Sequence, residues 1–322
     1  MRGAAEPSAA GSLGVARRRV ALAATVIAAA AALGCGPELP PPGTAAARAP
    51  RLSRRFEPAD LFPSDLDLVV RVDVARMRAG LGPAATDDLA ERALAGSDDA
   101  ALREALRRAD VVWLALRLAD LDAGDRVVAF EGRMGGLARD PAAWAKLPVD
   151  VAGVSAFDRR ARAPRAGAQR MIALGDHAVA FVSPAEVASV ARLLRDGPDE
   201  RRGDPAAEGL VSLDLRAHRL PPSLERRFPS IAAIIAGLER VRAVTALSED
   251  GIHLEADVVG RTPDGAARAR RFLEVLRDNV DNPLYAEIMK ALAIEQVERT
   301  VRLRWTFPSR VVLALLAGED PG

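Results

Sequence analysis

The chain has 322 residues, 49% apolar and 28% charged, with 45 Lys and Arg against 44 Asp and Glu. That balance is that of a globular protein long enough to bury one or two sizeable cores. It excludes a basic nucleic-acid binder: beyond residue 34 the chain has 41 basic and 43 acidic residues, net −2, and aromatics are only 4%, too few for a base-stacking platform.

The N-terminus has three zones. Arg17-Arg18-Arg19 precedes an uncharged apolar run of 14 residues, Val20 to Leu33, followed by Gly34 and Cys35, the one cysteine of the chain. As a helix that run reaches about 21 Å, short of the ~30 Å hydrocarbon core, so the pattern fits an export signal and not a permanent span. Ala32-Leu33-Gly34-Cys35 resembles the lipobox of bacterial lipoproteins. The resemblance covers residues 1–35. It implies that a signal peptide (1–34) is removed and that Cys35 is lipidated as the new N-terminus. The implied location is the cell envelope, with the protein bound to the membrane through its N-terminal lipid. In such lipoproteins an Asp after the cysteine signals inner-membrane retention; Gly36 in that place implies the periplasmic face of the outer membrane if the cell has one. A thiolate is a strong nucleophile for accepting lipid, and acyl chains contribute about 0.8 kcal/mol per buried methylene. Residues 35–55 carry Pro37, Pro40, Pro41, Pro42 and Pro50, which stiffen the chain into an extended tether.

The body begins near Phe56. Residues 67–75 alternate apolar and polar side chains as a half-buried strand does. Residues 86–108 show helical spacing broken at Gly96-Ser97, which predicts two helices with Ser97 capping the second. Residues 111–118 and 126–134 read as a hairpin, 140–147 as a short helix, and 149–157, 170–174 and 177–183 as strands. Pro184 opens a helix to Arg195. After the aperiodic stretch 197–205 the order restarts. Strand 209–215 precedes an apolar helix, 223–240, and a hairpin of strands 242–247 and 252–260. Helix 263–279 follows, with Ala266, Ala269, Phe272, Leu273 and Leu276 inward, then helix 284–294 and a closing hairpin, 297–307 with 310–316.

The expected class is α+β: antiparallel sheet with helices packed on one face, in two halves (56–203 and 204–322) that each read as β-α-β-β-α-β-β. Val70 to Val74 (VRVDV) matches Val211 to Leu215 (VSLDL), aligning Asp73 with Asp214, and Gly132-Arg133 echoes Gly260-Arg261. An internal duplication would account for both matches, and so would chance agreement between short strands in a chain rich in Val, Asp and Arg.

Few motifs carry chemistry. Asp120 to Glu131 has carboxylates at positions 1, 3 and 12 of a calcium loop but places Gly124 at position 5, where the template needs the glycine at 6; a hairpin turn is the expectation. Gly153 to Phe157 lacks the final glycine of a nucleophile elbow, and Arg202-Gly203-Asp204 is too short to be informative. His177 and His218 stand in no metal-ligand spacing. No metal or cofactor is expected.

Two features remain as candidate sites. His253, Glu255 and Asp257 share one face of a strand, a placement open to acid–base or metal chemistry and equally expected of a solvated strand face. Ile231, Ile234, Ile235 and Leu238 make a helix apolar nearly all round, either core or the wall of an apolar pocket. The function expected from sequence is an envelope-anchored lipoprotein with a non-enzymatic binding or assembly role, its partner an unknown envelope protein and not nucleic acid. The alternative is a carrier or sensor of an apolar ligand (a lipid or apolar peptide). An enzyme, resting on His253, Glu255 and Asp257 alone, is the weakest reading.

Overall fold

Asp73 decides the first turn of the chain. Its side chain accepts from the Arg76 backbone N–H at 2.9 Å, so the strand stops there, two residues earlier than its alternation implies, and a helix starts. A computed structural model describes residues 56–308, except 94–98, 119–124, 138–139, 162–166, 200–204, 206, 217–221, 249–250 and 281–282. Cys35 and the tether, Ser97, the 119–124 turn, Arg202 to Asp204, His218 and the strand expected over 310–316 lie outside the described residues.

The first half contains β1 (Leu68–Asp73), α1 (Val74–Leu81), α2 (Pro83–Ala93), α3 (Ala100–Arg108), β2 (Ala109–Leu116), β3 (Arg126–Gly132), β4 (Trp144–Leu147), β5 (Val154–Arg159), β6 (Arg170–Leu174), β7 (Ala178–Val182) and α4 (Val187–Asp196). The second contains β8 (Val211–Leu215), α5 (Pro222–Arg227), α6 (Pro229–Ala236), β9 (Leu238–Ser248), β10 (Gly251–Gly260), α7 (Pro263–Asp278), α8 (Pro283–Lys290), β11 (Ala293–Val297) and β12 (Thr300–Phe307). All strands join one antiparallel twelve-stranded sheet, ordered β11-β12-β10-β9-β8-β1-β2-β3-β7-β6-β5-β4. The α+β class and antiparallel sheet follow the sequence pattern.

Read outward from the β1–β8 contact, the two halves take the same course. The first runs β1, β2, β3, β7, β6, and the second β8, β9, β10, β12, β11. β1 and β8 pair antiparallel, Leu68 opposite Leu215 and Val72 opposite Val211, so the matched VRVDV and VSLDL segments meet at the centre. The echoed glycines end corresponding strands, β3 and β10. A Cβ at Gly132 would lie 2.3 Å from the Arg108 carbonyl oxygen, and one at Gly260 would lie 2.5 Å from the Ala266 nitrogen; both joints require glycine for close backbone approach.

Several local expectations are corrected. Residues 140–147 do not form a helix. Asp140 caps only a turn through Ala142 N–H, and Trp144 is buried in edge strand β4 with the Arg159 guanidinium 4.9 Å from its ring centroid. The cap of α3 is Asp99, which accepts from Ala101 and Leu102 N–H. The helix expected over 223–240 breaks at Phe228 and ends at Ala236, so Leu238 opens a strand. The helix expected to reach Ile294 ends at Lys290, because β11 takes the free side of β12. Ala266 and Ala269 face inward on α7, but Leu276 is 47% exposed.

Two clusters sandwich the first half of the sheet. Alternate residues of β7 feed opposite faces: Ala178, Ala180 and Val182 join a core with Leu61, Val190 and Leu194, and Val179 and Phe181 join one with Ala105 and Leu106 of α3. Phe130 and Phe181 meet edge to face at 5.8 Å. In the second half a single core forms under α7 and α8, containing Leu238, Val258, Ala269, Leu292, Val301 and Leu303.

Glu186, 2% exposed, lies just before α4. Its Oε1 accepts from Arg117 Nη2 at 3.1 Å, and its Oε2 has no hydrogen-bond partner among the described residues. Burial pushes the carboxyl above its ordinary value against the pull of Arg117. The folded state therefore holds this proton more tightly than the unfolded chain does. The stability this contributes is present below the ordinary carboxylate range and is lost as pH rises through the folded value. Glu186→Gln is expected to raise the melting temperature relative to the parent near neutral pH and to lose that advantage at acid pH. Thermal melts across the pH range check this, and an advantage that does not vary with pH would refute it.

Candidate functional site

β10 projects Ala256 and Val258 into the core beneath α7 and His253, Glu255 and Asp257 onto the opposite face. What surrounds these three is set by strand register. Glu295 of β11 stands opposite Arg302 of β12, Arg302 opposite Asp257 of β10, Asp257 opposite Arg242 of β9, and Arg242 opposite Asp214 of β8. One row across five strands thus alternates in sign: minus, plus, minus, plus, minus. The next row places Glu255 between Arg304 and Val244, and Arg304 Nη2 reaches Glu295 Oε2 at 3.3 Å. Opposite charges directly across an antiparallel pair stabilise it modestly and fix register.

His253 sits in a third row opposite Thr306 and Ala246. Its Nδ1 is 2.8 Å from Thr306 Oγ1, and its Nε2 is 2.5 Å from Ser248 Oγ. Arg302 Nε lies 3.9 Å from Asp257 Oδ1, both side chains more than half exposed. The three residues therefore share one open, charge-striped sheet face, each with its facing neighbours on adjacent strands. Among the described residues no group of three or more His, Cys, Asp or Glu is placed to hold a metal ion.

The stripe runs into the protein at the junction of the halves. Asp214, 2% exposed, accepts from Arg240 Nε and Nη2, both at 2.6 Å, in a bidentate pair. Beside it Arg71 bonds Asp73 at 3.3 Å and the Ala207 carbonyl at 3.2 Å, and its guanidinium lies 5.7 Å from the Trp113 ring centroid. The Trp113 indole N–H donates to Glu131. Beyond this junction the same rows continue through Val69, Ala115, Val127 and Val182, now apolar and covered.

The apolar helix is placed differently. Ile234 packs against the second-half core and Leu238 is buried in β9, yet α6 itself has no fully buried residue, Ile231 and Ile235 being half-buried. A separate cleft of about 740 Å³ opens at one end of the first half, lined by Phe56, Arg133, Ala152, Val154, Leu174 and His177.

Sequence reasoning found the three β10 residues but not the stripe. Its signal was present: Arg302 and Arg304 repeat at the same two-residue spacing as Glu255 and Asp257, with opposite sign. What alternation within one strand does not reveal is which strands lie side by side.

No protein-family model matches the chain, and no curated protein sequence matches it. Among solved structures the chain is similar to TP0453 in three crystal forms. Crystal form I has a TM-score of 0.48 at 10% identity over 81% of this chain and 96% of that one. Crystal form III has 0.49 at 12% over 82% and 98%, and crystal form IV 0.46 at 11% over 81% and 96%. No helix among the described residues is long and apolar enough to cross a membrane.

The stripe makes a stability prediction with two unequal arms. Removing one partner of a buried pair strands the other charge and costs about 3–5 kcal/mol, whereas an exposed pair contributes at most about 1 kcal/mol. Asp214→Ala is therefore expected to destabilise several-fold more than Asp257→Ala. Urea unfolding of the two variants checks this, and equal losses would refute the assignment of Asp214 as the buried anchor.

Proposed function

We propose that this protein is an exported, lipid-anchored envelope protein whose body serves in non-enzymatic binding or assembly, with the charge-striped face of β8–β12 as its contact surface. In this reading the signal peptide is removed, Cys35 carries the lipid, and residues 36–55 hold the body off the periplasmic face of the outer membrane. The observation that carries the binding role is the alternating row Glu295–Arg302–Asp257–Arg242, exposed across β11 to β9 and ending at the buried Asp214. A flat face patterned in both signs suits another protein, because complementary charge fixes register and rejects wrong partners. A small substrate favours a concave, largely apolar site. The enzyme reading loses ground for the same reason: His253, Glu255 and Asp257 stand side by side on an open face and meet their neighbours across strands. A carrier of an apolar ligand is the second reading, supported by the half-covered isoleucines of α6. Native mass spectrometry of protein taken from envelopes would show a co-purifying small molecule in that case.

Two measurements test the proposal. Labelled palmitate fed to expressing cells is expected to enter the protein and to be absent from Cys35→Ser, which would then be released from the membrane fraction. The double variant Arg302→Glu/Arg304→Glu, folded by circular dichroism, is expected to lose capture of its envelope partner from detergent extracts by about tenfold or more. The parent complex should weaken with added salt. Undiminished, salt-independent capture would remove the stripe from the function.

A further inference from the structure

The exposed part of the charge stripe spans four adjacent strands, in the order β11-β12-β10-β9. One row across them reads Glu295, Arg302, Asp257, Arg242, and the row beside it reads Ala293, Arg304, Glu255, Val244. The charged residues of both rows are all exposed. Asp214, next in line on β8, is buried and held by Arg240 at 2.6 Å, so it presents no charge to a partner. The first row therefore offers minus, plus, minus, plus, an even alternation.

An even alternation is complementary to its own reversal. A two-fold axis parallel to the strands, passing between β12 and β10, lays a second copy face to face with the first. It exchanges β12 with β10 and β11 with β9, so each row meets itself reversed. Glu295 then faces Arg242 of the second copy, and Arg302 faces Asp257. In the row beside it Arg304 faces Glu255, and Ala293 faces Val244. Every charge meets its opposite, and the apolar ends meet each other. A two-fold axis perpendicular to the strands fails, because it keeps the strand order. Placed on the first row, it sets Arg302 against Arg302; placed between the rows, it sets Arg302 against Arg304 and Asp257 against Glu255. A row of five with Asp214 exposed would fail as well, since its central Asp257 would face itself.

Two-fold pairing in which residue i meets j and j meets i is the commonest closed symmetry of homo-oligomers. Facing sheets stack about 10 Å apart with strands within about 30° of each other, a gap that Arg and carboxylate side chains fill from opposite sides. Four strands about 4.8 Å apart, each about seven residues long at about 3.4 Å per residue, present roughly 450 Å² a side. A standard stable interface buries ~800 Å² per partner, so this contact is reversible and, being built of exposed charges, salt-sensitive.

We propose that the stripe pairs with itself, two copies of the chain associating face to face about a two-fold axis parallel to β10 and β12. The inference rests on the reading of the stripe as a contact surface and adds that the partner is a second copy.

The test is a charge swap, read by sedimentation velocity of the full-length protein in mild detergent at about 1–100 μM. One variant is Arg302→Glu/Arg304→Glu and the other Glu255→Arg/Asp257→Arg. Each alone sets like charges against each other in the pair, and its dimer dissociation constant is expected to rise about tenfold or more above the parent's. In an equimolar mixture each reversed charge meets a reversed partner, and the dimer is expected to return to near the parent level. No change confined to one chain produces that rescue. A parent that stays monomeric at low salt, or a mixture as weak as its components, would overturn the self-pairing. If Arg302→Glu/Arg304→Glu then still loses capture of a different envelope protein, the contact-surface reading stands without it; undiminished capture removes both. Circular dichroism and thermal melts check that the reversals fold. A second measurement leaves every charge in place: Ala293→Cys mixed with Val244→Cys and a bismaleimide spanning about 10 Å. Cross-linked heterodimer, mapped to those two positions and not to Cys35, is expected to exceed the homodimer of either variant, and an excess of homodimer would overturn the proposed axis.

Discussion

The register between β1 and β8 is the constraint on which the rest depends. Val69 opposite Asp214 and Arg71 opposite Ser212 tie two half-sheets into one, and every row across the twelve strands inherits its composition from that alignment. Side chains alternate with a period of two, so a slip of one residue would turn Asp214 toward the core under α7 and Leu213 toward the stripe. The bidentate Arg240–Asp214 pair and the Arg71–Asp73 pair sit beside this seam. A buried pair adds little net stability over apolar packing, but it penalises the misaligned alternative heavily. At this seam the pairs act as register keys.

The same rows explain why the halves share a course and differ in their surfaces. In the first half both faces of β3 and β7 carry Ala, Val and Phe, so each face needs a cover, supplied by α3 on one side and by α4 with the 3-10 turn Pro58–Leu61 on the other. In the second half Arg, Glu and Asp occupy the equivalent rows on one side, and among the described residues the helix layer lies on the other. There the stretch after β10 forms the helices α7 and α8. The first half spends the corresponding stretch on β4 and β5, where Trp144 is buried beside Arg159.

Much of this was legible from residues alone, and the failures have physical causes. The hairpins β2–β3, β6–β7 and β9–β10 follow from alternation, and α7 from its helical spacing after Thr262, whose hydroxyl accepts from Gly265 N–H at 3.1 Å. β4 was unreadable because four residues, Trp144–Leu147, are too short to show a period, and Asp-Pro mimics a helix start. β11 was hidden in the tail of α8 because a sheet edge is a tertiary demand, absent from local propensity. The β10 trio was visible as a polar face, but the charges beside it on one edge come from β12, 45 or more residues further along the chain, and only the sheet order brings them together.

An open sheet of this width must also manage its two edges. β4 is short, carries Lys146 outward, and runs into Pro148; a proline without a donor and a charged side chain both discourage a further strand. β11 relies on Glu295, exposed and paired with Arg304, so an incoming strand would have to compete with a charge already committed along the row. The alternation of sign thus works in two directions: across the face it lets charged rows of β9 to β12 stand exposed among the described residues, and at the rim it makes an added strand unfavourable unless that strand brings the complementary charge. A surface built this way resists apolar association and admits a partner by pattern, which is the property the binding reading requires.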